Sequence, residues 1–407
     1  MRPTRRSHRT FALLTLAVAI GLLGGVAALN ATVDPFKVWR PNAVEKLDPY
    51  KRLTMTRIVR AAQVHRGDWQ VVLAGASRTE IGLDPDCPAL AGKRAVNIGL
   101  SGAHFPEIMA SADYALAQNP GLQTLVVEMD PAYLDMAYGD PEDFRMSLFN
   151  PGRSLAEYRL ASLTGGLFIE RSAQTLGDFF AKKPAHVFTP NGLRIDYRVY
   201  LSRGVRDFFR KGIGEVAQWR PDYWPAGRNL NLDLMPPIKD LALRCQARGV
   251  RLEWVIPPAH AARLCVDVRR GDWAATVAYK RALAKMVDEV NQGQPTPTLR
   301  VWDFFVPRAE NLEEIPAADG VPMAWHWEPG HFKKALGDKV LERLFGATTA
   351  DAATPGSFGH LLTPESIEPH LNAVNRDLAA YIGAHPGLDG FLPTDGVAEH
   401  AGQTPVK

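Results

Sequence analysis

With 407 residues, 46% of them hydrophobic and 22% charged, the chain has the composition of a globular protein with a large core, not of a disordered or fibrous one. Its net charge of +3 rests on Arg2, Arg5, Arg6 and Arg9. With those four set aside the remainder sums to −1, which excludes a basic nucleic-acid-binding surface.

The first element is Phe11 to Ala31, 21 residues without a charge and long enough to span a bilayer. Arginines before it and Asp34-Pro35 after it place residues 1–10 in the cytoplasm as a basic tail and the body outside that membrane. The span at 11–31 is expected to be a signal anchor. A leader cleaved near Gly25-Val26-Ala27 is the second reading. Residues 32 to 69 are mixed in character and are expected to wrap the entrance of the domain that follows.

From residue 71 the pattern is strand, turn, helix, repeated. Val71-Val72-Leu73-Ala74 is an apolar run of the kind buried on both faces of a parallel sheet. Ala95 to Leu100 and Thr124 to Pro131 are further strands, separated by a helix over Pro106 to Gln118. Ile238 to Arg248 is a helix closed by Gly249, and Arg251 to Pro258 is the fourth strand. A long helix over Trp273 to Val290, a strand over Leu299 to Phe304 and a helix over Lys334 to Phe345 follow. Strands alternating with helices mean a parallel sheet covered on both faces.

Residues 132–235 interrupt the rhythm with Tyr197, Tyr200, Phe208, Phe209, Trp219, Tyr223 and Trp224. An insertion this long between core units is a lid or substrate platform, or else a packing surface. Beyond 347 one amphipathic helix stands out, with Ile367, Leu371, Val374, Leu378 and Ile382 in a stripe. It is opened by Thr363-Pro364, closed by Gly383 and followed by a tail expected to be disordered. The three cysteines, Cys87, Cys245 and Cys265, have no C-x-x-C spacing and read as buried free thiols.

The chemistry-bearing residues sit at strand ends. Gly75-Ala76-Ser77 leaves a hydroxyl at the carboxyl end of the first strand, where ligands collect in open α/β sheets. Asn97-Ile98-Gly99-Leu100-Ser101-Gly102 offers a glycine loop whose backbone N–H groups can approach a reacting carbonyl. Glu328-Pro329-Gly330-His331 lets a carboxylate fold back on an imidazole, fixing its tautomer while the other ring nitrogen reaches a serine. His260 ends the fourth strand and is expected to face the same crevice as a substrate contact. His326 gathers no metal-ligand set, and Gly99-x-x-Gly102 lacks the first glycine of a dinucleotide fingerprint, so no metal or cofactor is expected.

This order of parts resembles the SGNH (GDSL-like) hydrolases and acyltransferases over residues 68 to 347. The stretch Gly75-x-Ser77-Arg78-x-Glu80-x-Gly82-x-Asp84-Pro85 is similar to membrane-anchored periplasmic members of that group, some of which acetylate exported polysaccharides. The resemblance implies a three-layer flavodoxin-like α/β domain over 32–347, with 132–235 as its insertion and 348–407 as a C-terminal extension. It implies Ser77 as nucleophile and first oxyanion donor, Gly102 as second donor, His331 as base and Glu328 in place of the usual aspartate. The substrate would be an acyl ester of a glycan, with a membrane acyltransferase as a conceivable donor partner. The body would lie in the periplasm on a single inner-membrane span.

One departure matters. The strand end that should offer an asparagine N–H to the oxyanion carries Asp130, and an ionised carboxylate repels a developing negative charge. Either Asp130 is turned away or protonated, or another group substitutes for the missing donor, or the chemistry is weak. Arg78 could supply the missing charge and contact substrate, or could pair with Glu80 or Asp84. The competing class is therefore a non-catalytic glycan-binding or scaffold protein of the same fold.

Overall fold

The computed structural model describes residues 5–39, 44–131, 141–201, 204–218, 234–318, 321–346, 357–385 and 388. In chain order the elements begin with α1 (Arg5–Val33), α2 (Thr56–Arg66), β1 (Val71–Ala74), α3 (Ser77–Gly82), β2 (Ala95–Asn97), α4 (Phe105–Gln118) and β3 (Thr124–Glu128). Next come α5 (Glu142–Met146), α6 (Leu155–Thr164), α7 (Gly166–Phe180), α8 (Arg198–Leu201), α9 (Val205–Gln218) and α10 (Met235–Ala247). They continue with β4 (Arg251–Ile256), α11 (Ala261–Arg269), α12 (Trp273–Asn291), β5 (Leu299–Asp303), α13 (Lys334–Gly346), β6 (His360–Leu361) and α14 (Ile367–Ala384).

The chain divides into two compact units, residues 1–66 with 140–187 and residues 67–139 with 188–407. The first unit is helical. Its α1 holds a segment, His8–Val33, long and apolar enough to cross a membrane. The Phe11–Leu23 part of α1 is exposed, whereas Asn30 and Val33 are buried. Asn30 donates to the Leu163 carbonyl at 2.9 Å and accepts from the Ser172 hydroxyl at 2.8 Å, which fastens α1 to α6 and α7. The start of α6 is set by a reciprocal cap, Ser154 accepting from the Glu157 amide and Glu157 from the Ser154 amide. A forked ion pair of Arg52 on Asp178, at 2.8 and 3.0 Å, ties α7 to the segment before α2.

The second unit is an α/β body around a six-stranded sheet ordered β2-β1-β3-β4-β5-β6. The first five strands are parallel and β6 pairs antiparallel with β5. The sheet is thus mixed and not wholly parallel. A two-residue strand beyond the last crossover helix is too short to leave any periodicity in the sequence. Leu73 stands opposite Asn97 and Val126, and Val126 opposite Glu253, so alternate residues of neighbouring strands share a face. On one face Val71, Leu73, Val126, Val255 and Trp302 pack with Leu336, Val340, Leu341 and Leu344 of α13 in a single core cluster. On the other, the Trp254 indole N–H donates to the Tyr279 hydroxyl of α12 at 2.8 Å. The cysteines are free and buried.

Asp303, at the end of β5, is fully buried and holds the C-terminal extension. It receives Lys280 Nζ at 2.6 Å and His370 Nε2 at 2.8 Å, and the His360 ring stacks on His370 at 4.0 Å. The apolar stripe of α14 is spent on this body, since Ile367, Leu371, Val374 and Leu378 are buried. The helix runs through Gly383 and ends at Ala384. The tail beyond 388 lies outside the described residues.

The insertion expected over 132–235 is divided: its described residues up to 187 belong to the first unit and those from 188 onward to the second. Residues 188–194 join the sheet body because Asn191 O accepts from the Asn97 amide and Glu80 O from the Arg194 amide, both at 2.9 Å. Trp219, Tyr223 and Trp224 lie outside the described residues.

Two helix ends meet without room for a side chain at Gly337 of α13. A Cβ there would sit 1.8 Å from the Gly82 carbonyl oxygen at the end of α3. Gly337→Ala is expected to lower the unfolding free energy by about 1–3 kcal/mol, the range of overpacked cores, read from the denaturant midpoint at constant m.

Candidate active site

The carboxyl edge of β1 delivers Ser77 as the first residue of α3. The turn into α3 leaves no space for larger residues. A Cβ on Gly75 would meet Thr79 Oγ1 at 2.2 Å and Glu128 Oε2 at 2.9 Å, and one on Gly99 would meet the Glu80 backbone nitrogen at 2.3 Å. Asn97 then locks α3 to the end of β2. Its amide nitrogen donates to the carbonyls of Thr79 at 2.5 Å and Leu83 at 2.7 Å, and its oxygen accepts from the Gly99 amide at 2.8 Å. Asn97 is therefore committed to holding the turn that carries Ser77. The loop onward is drawn to β1 by the Leu100 amide on the Gly75 carbonyl at 3.0 Å. Gly102, in that loop, is exposed and has φ +66°, with open space where a Cβ would stand.

Glu328 and His331 do not lie on a helix. Residues 325–333 form a tight reverse hairpin, with the Trp327 amide on the His331 carbonyl at 2.9 Å and the Lys333 amide on the Trp325 carbonyl at 2.7 Å. At its tip one Glu328 oxygen accepts from His331 Nδ1 and the other from the Gly330 amide, the latter at 2.9 Å. On its far side His331 Nε2 lies 2.7 Å from Ser77 Oγ. A carboxylate can only accept, so Nδ1 carries a proton; in the neutral ring Nε2 is then the acceptor and the Ser77 hydroxyl the donor. Ser77, His331 and Glu328 stand in one hydrogen-bonded row.

Burial opposes ionisation of Glu328, and Gly212 of α9 lies close enough that a Cβ there would come within 3.1 Å of Glu328 Oε2. The attraction of His331, the bonds from His331 and Gly330, and the charge of Arg78 outweigh that cost and hold its pKa down at about 2.

The hairpin has its own supports, none evident from spacing. Glu313 accepts from the Ala324 and Trp325 amides and lies 3.4 Å from His326 Nδ1. The His260 amide donates to the Pro329 carbonyl at 3.0 Å. The His260 side chain is fully buried, against the expectation of a substrate contact. Its Nδ1 accepts from the Ala262 amide at 3.1 Å and caps α11, while Nε2 donates to the Glu313 carbonyl at 2.5 Å. Burial and the neighbouring His326 push its pKa down to about 3, so it stays neutral. A strand-end position had pointed His260 into the crevice, but the ring turns inward to serve the helix start.

Arg78 and Asp130 also differ from surface contacts, being 3% and 2% exposed. The guanidinium pairs with Asp130, 52 residues away, and not with Glu80 or Asp84. Glu80 instead accepts from Ser101 Oγ and pairs with Arg194 at 3.3 Å. Beside Asp130, burial raises the pKa of Glu128, which accepts from Thr79 Oγ1 at 3.1 Å.

Next to His331 stands an aromatic wall from α8 and the residues before it. Trp327 stacks on Tyr200 at 5.3 Å and lies 4.9 Å from Tyr197, and the Tyr200 ring is 5.8 Å from His331. Phe208 extends the wall behind Tyr200, while Phe209 is buried against His260.

No family model, curated protein or solved structure matches the chain.

Glu328 has a folded pKa below its unfolded value of about 4.3. Its stabilisation is therefore complete above that value and lost as pH falls toward about 2. The unfolding free energy is expected to decline between pH 4.5 and 2, and to do so less steeply in Glu328→Gln, as measured by denaturant titration at each pH.

Proposed function

We propose that this chain is a membrane-anchored, extracytoplasmic serine esterase or O-acyltransferase of the SGNH-like kind, acting on acyl esters of an exported polysaccharide or envelope glycan. One observation carries the proposal: Ser77, His331 and Glu328 come from segments some 250 residues apart and meet in one row, with Ser77 Oγ 2.7 Å from His331 Nε2. The strand order 2-1-3-4-5 supports it, being the flavodoxin-like order in which ligands sit at the carboxyl edge.

In this mechanism Ser77 Oγ attacks the acyl carbonyl as His331 Nε2 takes its proton. The imidazolium so formed is stabilised by the ionised Glu328. The amides of Ser77 and Gly102 are the proposed donors to the oxyanion. Ser77 opens α3, so its N–H has no partner within the helix, and the Gly102 N–H donates to no acceptor among the described residues. Collapse of the tetrahedral intermediate expels the alcohol, which takes the proton from His331. Water or a second hydroxyl then attacks the acyl-serine with His331 as base again, and collapse of the second tetrahedral intermediate breaks the bond to Ser77 Oγ, which takes the proton back from His331 as the acid or new ester leaves.

A glycan is favoured by the half-buried wall of Tyr197, Tyr200 and Trp327, because aromatic surfaces suit sugar rings. The arginine cluster ahead of the apolar run of α1 favours an N-terminus in the cytoplasm and a periplasmic body. A membrane acyltransferase is the class of partner that would supply the acyl group to such a site. The non-catalytic alternative rested on an uncompensated carboxylate at Asp130, and that carboxylate has a cation, Arg78, beside it.

The test is hydrolysis of a chromogenic acetyl ester by the full-length protein in detergent. Ser77→Ala and His331→Ala are each expected to lower kcat by at least about 10³-fold. Activity indifferent to Ser77 would refute the proposal.

A further inference from the structure

Arg78 occupies an unusual position. Its backbone follows directly on Ser77, and its guanidinium reaches the turn that carries the base. Nε donates to the carbonyl of Gly330, the residue between Glu328 and His331 whose own N–H donates to Glu328 at 2.9 Å. The two peptide groups flanking the Gly330 Cα are thus both gripped, one at its nitrogen by the carboxylate and the next at its oxygen by the arginine. Packing there is close, since a Cβ on Gly330 would lie 3.3 Å from Glu328 Oε1 and 3.4 Å from Arg78 Nη2.

A guanidinium this deeply buried needs a counter-charge. Asp130 supplies it through Nη1, leaving Nε free to hold Gly330. Asp130 also feels Arg263, which is paired with Asp267 at 3.1 Å, so two buried cations and two buried anions neutralise one another behind the site. Only a planar fork with donors on several edges can serve Gly330 and Asp130 together. A lysine ammonium is a point charge and has no such reach.

We propose that Arg78 is a positioning residue. Held in place by Asp130, it clamps the Gly330 carbonyl and so fixes the Glu328–His331 turn at proton-transfer distance from Ser77. On this view Asp130 is a counter-ion facing away from the reaction, and its charge is needed. The inference rests on the serine-nucleophile mechanism above.

The experiment follows covalent modification of the full-length protein by a fluorophosphonate between pH 5 and 9. The amplitude at saturation counts folded sites and the rate constant reads their geometry. Wild type is compared first with Ser77→Ala; equal labelling of the two would refute the serine mechanism itself and leave no clamp to consider. With labelling confined to Ser77, Arg78→Gln is expected to react about 10²-fold more slowly per folded site, the scale of a 1 Å misplacement, with a shifted pH midpoint. Arg78→Lys, which keeps the buried charge, is expected to recover part of that rate. Asp130→Asn is expected to slow the reaction as well, and the Arg78→Gln/Asp130→Asn double variant to be no slower than Arg78→Gln alone. A rate constant and midpoint within twofold of wild type in Arg78→Gln would overturn the proposal. Should that variant fail to fold, wild-type values in both Arg78→Lys and Asp130→Asn would overturn it equally.

Discussion

His331 can present a bare Nε2 to Ser77 only while Glu328 holds the proton-bearing Nδ1. That requires a mostly buried carboxylate to stay ionised against its own desolvation. The second oxygen of Glu328 takes the Gly330 amide, the carbonyl of that residue takes Arg78, and Arg78 is balanced by Asp130. Each step satisfies a charge or dipole that would be costly to bury alone. The row of three residues thus continues into the core, and its rigidity comes from the hairpin and not from regular secondary structure.

The sheet supplies the other half of the geometry. β1 is buried on both faces and flanked by β2 and β3, so its carboxyl end is a fixed point. Small residues at Gly75 and Gly99 let the chain leave that point against Glu128 and Glu80, and Asn97 closes the corner with three hydrogen bonds. His331 approaches the same edge from the other end of the chain, on a hairpin held by Glu313 and by the His260 amide. A rigid sheet edge and a braced hairpin meet at a separation that neither controls alone.

Much of this could be read in advance, and the limits have physical causes. A four-residue apolar run announced β1 because burial on both faces leaves no polar alternation. Ser77, Glu328 and His331 were legible because strand-end position and short spacing narrow what those groups can reach. The partner of Arg78 was not. Glu80 and Asp84 are near in sequence, yet pairing across the sheet depends on β3 lying beside β1. His260 was misplaced because strand order locates a backbone, whereas its ring direction was decided by the unfilled amide at the start of α11. The division of the insertion was equally hidden, being written in contacts such as Arg52 with Asp178 and Arg194 with Glu80.

The change along α1 from exposed apolar surface to packed surface falls near Val26, beside the small residues where a leader could be cut. A chain trimmed there keeps Asn30 and Val33, and with them the seat on α6 and α7. A chain begun at residue 33 loses Asn30 and leaves the Leu163 carbonyl and the Ser172 hydroxyl facing an empty groove. The apolar helix α1 is thus two objects end to end, an exposed stem and a packed root, and a form of this protein freed of its exposed apolar surface should be cut between them.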